Sequence, residues 1–420
     1  LIAPRKTLLT ADWVAPMDRA PMRDAGVVFE NGRIVEVGSA KPLRTTHPDA
    51  RVIELGDTVI LPGLVNAHTH LELSLNSCGE APGGTFVEWI LGLQSKRAAA
   101  VGREPQEMYS AAVEAGIAQC LRFGVTSIGD ISQRAQITRA ALRDGPLRCV
   151  SYGEVIGLAR RVTRFRELLP LATDRSHESE WLRIGISPHA PYTLDLPSFR
   201  ETLQVARELK LPLATHLAET PHEREFLERQ TGEFQQMWAI LGQWSNDVQT
   251  FPAGPIDFAA EIGLLEYPSL LAHVNYCDER EMELLANGNA SVVYCPRTHK
   301  FFDHPPHRWR EMLARGINVA VGTDSCASSP DLNLVNDLRL LHQIAPDVPA
   351  EELWQMATIR GARAIEMADA VGSITARKAA DFAVFSVSGD QPLTELLEND
   401  LTPREVWIGG VKRNPSASPC

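Results

Sequence analysis

Between about residues 62 and 375, short runs of β-branched and aliphatic residues alternate with longer stretches whose apolar positions recur at helical spacing. That alternation predicts parallel strands joined by crossover helices. Over residues 105–123, for example, Met108, Ala112, Ala115 and Leu121 fall near a helical period. Gly124 then stops the helix, and 125–130 reads as a strand. Counted this way the strands are 64–70, 125–130, 149–154, 184–189, 212–216, 270–275, 291–295 and 318–324. Eight parallel strands predict a closed (β/α)8 TIM barrel over 62–375. The stretch exceeds the roughly 250 residues typical of that fold, with the surplus mainly between His216 and His273.

The two ends of the chain have a different texture. Residues 24–37 are two β-rich runs around Asn31-Gly32, a pair suited to the positive φ angles of a tight hairpin. Near the other end, 381–387 and 404–411 are short β-like runs, the second containing Gly409-Gly410. Residues 1–61 and 376–420 are therefore expected to build one small β-sandwich domain.

Composition narrows the function. With 44% hydrophobic and 22% charged positions the chain is an ordinary globular one, not a disordered or fibrous one. Its net charge of −12 would repel a polyphosphate, so nucleic acid is not an expected partner. No run approaches the 18 or so apolar residues that cross a bilayer. The start, Leu1-Ile2-Ala3-Pro4-Arg5-Lys6, lacks the order of a signal peptide, and a cytoplasmic protein without a membrane partner is expected. The cysteines at 78, 120, 149, 277, 295, 326 and 420 are scattered, with no Cys-x-x-Cys, which argues against a disulfide framework or a cysteine zinc site.

Several predicted strands finish on His, Asp or Glu, and barrel active sites form at strand carboxyl ends. His68 and His70 lie two apart on the first strand and so share a face. Together with His216 on the fifth strand and Asp324 on the eighth they make three imidazoles and a carboxylate. That set suits one divalent ion, Zn²⁺ first, with Fe²⁺ or Mn²⁺ tolerated, and water in the open position.

In the motifs Pro62-Gly63-Leu64-Val65-Asn66-Ala67-His68-Thr69-His70, His216-Leu217-Ala218-Glu219-Thr220, Ala272-His273 and Gly322-Thr323-Asp324-Ser325, the chain resembles the amidohydrolase superfamily. Within it, the resemblance is to the branch of deaminases and chlorohydrolases acting on purine-like and triazine-like rings. It implies that His68, His70, His216 and Asp324 hold one metal ion, that Glu219 handles substrate protons, and that His273 contacts the attacking water or the developing oxyanion. Asp324 would also accept a proton from that water. A helix-start carboxylate is the structural alternative for Glu219. The fourth strand, ending Ser187-Pro188-His189, has no Lys to bridge two metals, so a mononuclear site is expected.

For the substrate pocket, Glu88 in Thr85-Phe86-Val87-Glu88-Trp89 is similar to a family segment that contacts substrate, or else is a solvated helix-start charge. His189 matches a family position that contacts the bound nucleoside, with core packing as the alternative. Glu72, in His70-Leu71-Glu72-Leu73-Ser74, resembles a subset that includes aminodeoxyfutalosine deaminases, and would bind sugar or orient His70. Arg297 and His299 depart from the family pattern and would reshape the pocket, unless Arg297 forms a salt bridge and His299, His304 and His307 cover the barrel rim. Arg160-Arg161 would read an anionic tail or lie solvated. The cytidine-deaminase zinc signature is incomplete, since Pro-Cys-x-x-Cys is missing.

The reaction implied is metal-dependent deamination of an adenine-containing nucleoside such as aminodeoxyfutalosine, adenosine or S-adenosylhomocysteine. The alternatives are guanine or 8-oxoguanine deamination, triazine dechlorination, or a catalytically dead scaffold of the same fold. The expected partner is a small-molecule substrate, and the resemblance implies a homo-oligomer.

Overall fold

A computed structural model describes residues 6–78, 84–99 and 104–413, so the start of the chain and Cys420 lie outside the described residues. Eight parallel strands form the barrel: Leu64–Thr69, Val125–Ser132, Arg148–Val155, Leu182–Pro188, Leu213–Leu217, Ser269–His273, Ser291–Tyr294 and Asn318–Val321. Each pairs with the next in sequence order. Helices occupy the crossovers, among them Pro105–Arg122 before the second strand.

The period-2 alternation of the strands sorts their side chains. Val292 and Tyr294 pack among residues of the surrounding helices. Val293 joins Val150, Tyr152, Ala214, Leu270, Ala272 and Ala320 in a second cluster, which fills the barrel. The filled rows continue upward, Ala214 to His216 and Ala320 past Gly322 to Asp324, so that the polar side chains emerge at the carboxyl end.

The barrel closes where the last strand meets the first. A bridge joins Thr69 to Asp324, and the Asp324 amide donates to the His68 carbonyl at 3.1 Å. Below it, Asn66 donates to the Thr323 hydroxyl (2.7 Å) and accepts from the Thr323 amide (3.0 Å). Gly322 is required here, because a Cβ in its place would stand 2.8 Å from both Cβ and the carbonyl oxygen of His68.

The terminal segments supply a second sheet. Its central strand, Thr7–Val14, pairs antiparallel with Met22–Glu30, and in parallel with Arg51–Glu54 and then with Thr58–Pro62. Strands Phe382–Ser386, Glu405–Ile408 and Val411–Arg413 extend it from the other end of the chain. The expected small β domain is built from both chain ends as an eight-stranded mixed sheet, separate from the barrel sheet and folded so that Phe29 packs against Phe382 and Trp407. The predicted hairpin turns through paired positive φ angles at Asn31-Gly32, and a second hairpin, between Glu405–Ile408 and Val411–Arg413, does so at Gly409-Gly410. The six described cysteines are free thiols. No helix among the described residues is long and apolar enough to cross a membrane.

Candidate active site

His68, His70 and His216 place their ring nitrogens within 4.8 Å of one another. Nε2 of His70 and Nε2 of His216 face each other at 3.2 Å. The His216 Nδ1 lies 3.1 Å from the His189 carbonyl, which can only accept, so Nδ1 carries the proton and the Nε2 lone pair points to the centre. His68 is fully buried and neither of its ring nitrogens has a hydrogen-bond partner. Asp324 Oδ1 stands 3.5 Å from His70 Nε2 and 3.7 Å from His68 Nε2. Its Oδ2 accepts from the Ser328 hydroxyl at 2.9 Å, and its backbone is left-handed at φ +55°. An orphaned buried imidazole, converging lone pairs and an adjacent carboxylate fit a divalent ion. The cluster is a candidate mononuclear metal site of the kind expected from the sequence.

Burial, and then the neighbouring imidazoles, hold the His68 and His216 pKa values well below the ordinary range. Metal binding ordinarily displaces protons from its ligands, but these two are already neutral in mild acid. At pH 5.5 the uptake of one divalent ion is therefore expected to release about one proton or fewer, against nearly three for three imidazoles titrating near 6.5. Calorimetry in buffers of different ionisation enthalpy measures this, and a release near three would contradict the burial.

Glu219 is buried, and burial raises its pKa well above the usual carboxyl range, with further upward pushes from Asp324 and Glu223. Its Oε1 lies 3.5 Å from His273 Nε2. Burial lowers the His273 pKa to about 4, so that ring is a neutral donor near pH 7. Glu223 anchors the turn: its carboxylate accepts from the amides of Ala218 (3.0 Å) and Glu219 (3.1 Å). His189 contacts Thr193 Oγ1 through Nδ1 at 2.7 Å, and its Nε2 lies 3.8 Å from the Glu154 carboxylate.

One open cleft of about 1090 Å³, a volume that includes open solvent, joins these groups. Its floor carries His70, His189, His216, Glu219, His273 and Asp324. Its outer wall comes from two helices, Phe86–Ala99 and Gly232–Ile240, through Trp89, Ile90, Leu93 and Met237 among others. The second helix lies in the sequence surplus. Its Phe234 stacks on Tyr192 at 3.8 Å between centroids, and the Trp238 Nε1 donates to the Tyr192 carbonyl. Phe234, Trp238 and Trp244 thus share a local core with Tyr192, and Trp238 also lines the cavity.

The expected substrate contacts divide. Glu72 lines the cavity, with Oε1 accepting from Ser132 Oγ, Thr138 Oγ1 and the Arg134 amide. Arg161 also lines it. Glu88 does not: it is exposed and caps its own helix, accepting from the Thr85 amide while Thr85 Oγ1 accepts from the Glu88 amide. Arg297 also lies outside the cavity wall, bound to Asp337 (3.0 Å) and Asp331 (2.6 Å), because a guanidinium this buried needs compensating carboxylates. His299 turns away to the Pro305 carbonyl at 2.9 Å. Glu154 and Glu223 were not singled out from the sequence. Glu154 ends the third predicted strand, and Thr220-Pro221-His222-Glu223 has the spacing of a helix-capping box.

The amidohydrolase family model matches residues 59–412 of this chain. The 5-methylthioadenosine/S-adenosylhomocysteine deaminase of Syntrophobacter fumaroxidans is 31% identical over 395 residues, covering 90% of this chain and 84% of that protein. The adenosine deaminase of Helicobacter pylori is 26% identical, over 93% of this chain and 94% of its own. Among solved structures, an adenosine deaminase from Xanthomonas campestris with bound zinc superposes with a TM-score of 0.82 at 25% identity, covering 98% of this chain and 93% of that one. The aminofutalosine deaminase of Helicobacter pylori shares the fold, with a TM-score of 0.84 at 23% identity over 97% of this chain and all of the other.

Proposed function

Because this chain belongs to the amidohydrolase family, we propose that it is a hydrolytic deaminase that releases ammonia from the exocyclic amine of an adenine-containing nucleoside. The observation that carries the reading is the convergence of Glu219 and His273, 3.5 Å apart, on the cavity floor beside the three imidazoles and Asp324. The relatives named above, which act on adenine nucleosides, support it.

A divalent ion held by His68, His70 and His216, with Asp324 beside them, supplies Lewis-acid activation of water near neutral pH. Asp324 takes a proton from the attacking water through Oδ1, the oxygen not held by Ser328. Glu219, kept protonated by burial, delivers its proton to the ring nitrogen beside the attacked carbon. The neutral His273 donates a hydrogen bond to the new oxygen substituent. The hydroxyl proton of the adduct then passes to Glu219, restoring its acid form, while the proton on Asp324 passes to the amine, so that ammonia leaves and a carbonyl remains. His189 and Glu72 face the same cavity and are the proposed substrate contacts, while the apolar outer wall accommodates the part of the nucleoside beyond the ring.

The test is ammonia release by metal-reconstituted protein from 5′-methylthioadenosine, S-adenosylhomocysteine, adenosine, aminodeoxyfutalosine, guanine and 8-oxoguanine, with chloride release from a chlorotriazine as a control. At least one adenine nucleoside is expected to exceed guanine in kcat/KM by about tenfold or more, a gap of about 1.4 kcal/mol in transition-state binding. Silence on every nucleoside, in protein carrying about one ion, would overturn the substrate class.

A further inference from the structure

The sixth barrel strand ends in an unusual backbone. His273 and Val274 are consecutive left-handed residues, with φ of +73° and +50°, a conformation that side chains with a Cβ adopt only when the surroundings impose it. The Val274 amide is held by the Leu217 carbonyl at 3.0 Å, and the Asn275 side chain donates to the Glu219 carbonyl at 3.0 Å. The carbonyl of His273 itself is met by Nε2 of His307 at 2.9 Å. A carbonyl only accepts, so His307 carries its proton on Nε2 and donates. Its ring is buried and stacked on Tyr294, 4.0 Å between centroids and 17° from parallel.

The segment that carries His307 is fastened to the same strand end. The His304 Nδ1 meets the Tyr276 hydroxyl at 3.1 Å, and the Arg308 guanidinium donates to the Cys277 carbonyl at 3.2 Å. His299 ties the segment to itself through the Pro305 carbonyl, and Arg297 roots its start on Asp331 and Asp337. His304, His307 and Arg308 thus share one arrangement, a brace against residues 273–277, on a segment that Arg297 and His299 hold in place.

We propose that His307 is a positioning residue for His273: by holding the His273 carbonyl it fixes the left-handed peptide and aims the His273 ring at Glu219 and the reacting atoms. The inference rests on the deaminase reading for what His273 does, but the brace itself is a property of the fold. Aim matters most where charge develops in the transition state and least in ground-state binding. His307→Phe keeps a ring to stack on Tyr294 and removes the donor, whereas His307→Gln keeps a donor without the ring.

For metal-reconstituted protein, His307→Phe is expected to lower kcat by about 10- to 100-fold, with KM within about twofold and the bound-metal ratio unchanged. His307→Gln should restore part of the loss. Tyr276→Phe, which unties His304 and leaves His307 in place, should give a smaller kcat loss in the same direction. Histidine-ring ¹⁵N spectra provide a readout independent of turnover: the His273 resonances should shift in His307→Phe and return toward the parent positions in His307→Gln. If the parent protein turns over no nucleoside, the deaminase reading fails and these spectra still decide the brace. Parental kcat and unmoved His273 resonances in both His307→Phe and Tyr276→Phe would overturn it, as would a loss confined to KM.

Discussion

Glu219→Gln is expected to lower kcat by about 10²- to 10⁴-fold on any nucleoside substrate while the protein keeps about one divalent ion per chain. The substitution preserves the size of the side chain and its place in the turn, where Glu223 holds the Ala218 and Glu219 amides and Asn275 holds the Glu219 carbonyl. What it removes is the transferable proton. Burial favours the neutral acid in the parent protein, so the amide is a fair electrostatic match in the ground state and no new charge is buried. The loss should therefore appear in kcat far more than in KM. Rapid-quench turnover and metal analysis on the same preparation check both parts. Parallel loss of the ion would make Glu219 a ligand and return the proton-transfer role to another group.

Gly322→Ala should disable the metal centre without touching a ligand. The added Cβ would meet the Cβ and carbonyl oxygen of His68 at 2.8 Å and its backbone nitrogen at 3.0 Å, and none of these is the flexible end of a side chain. Relief requires the first and eighth strands to separate at the seam, where the Asp324 amide donates to the His68 carbonyl and Thr69 Oγ1 donates to the Asp324 carbonyl. His68 belongs to the three-imidazole cluster, and Asp324 stands beside it. Overpacking of this sort costs about 1–3 kcal/mol of stability. The displacement of His68 from Asp324 should weaken metal binding by about 10- to 100-fold, the range seen when groups supporting ligands are disturbed. Competition titration against a zinc indicator, with urea denaturation of the metal-free protein, measures the two effects. Parental values in both would show that the seam tolerates a methyl group.

The barrel and its chemistry were legible for related reasons. Strand ends at 70, 189, 216 and 324 could be found from sequence because parallel buried strands are short apolar runs, and the ionisable residue closing each run is conspicuous. Two histidines at a two-residue step share a face whatever the rest of the chain does. Residues whose roles depend on partners distant in sequence were harder to place. Arg297 looked like a pocket residue because it follows the seventh strand, but Asp331 and Asp337, 34 and 40 residues later, claim it. Glu88 lies in the first turn of a pocket helix, and Thr85-Phe86-Val87-Glu88 has capping-box spacing, so the helix-start alternative to substrate contact was legible in its neighbours. Glu154 closes a strand as His189 does, so its signal was present. Its approach to His189 across adjacent strands needed the register of the sheet. The two chain ends join in one small β domain because Thr7–Val14 is long enough to pair with Arg51–Glu54 and Thr58–Pro62 in succession, and Thr58–Pro62 then pairs with Phe382–Ser386.

The two helices that wall the cavity, Phe86–Ala99 and Gly232–Ile240, belong to excursions between barrel strands, and among the described residues they contribute nothing to the three-imidazole cluster. The outer wall is accordingly built apart from the strand ends. Exchange of either excursion can change which molecule fits while the strand ends keep the same proton transfers. Divergence in this architecture has a low threshold: a new substrate requires a new wall, and an existing catalyst is already waiting beneath it.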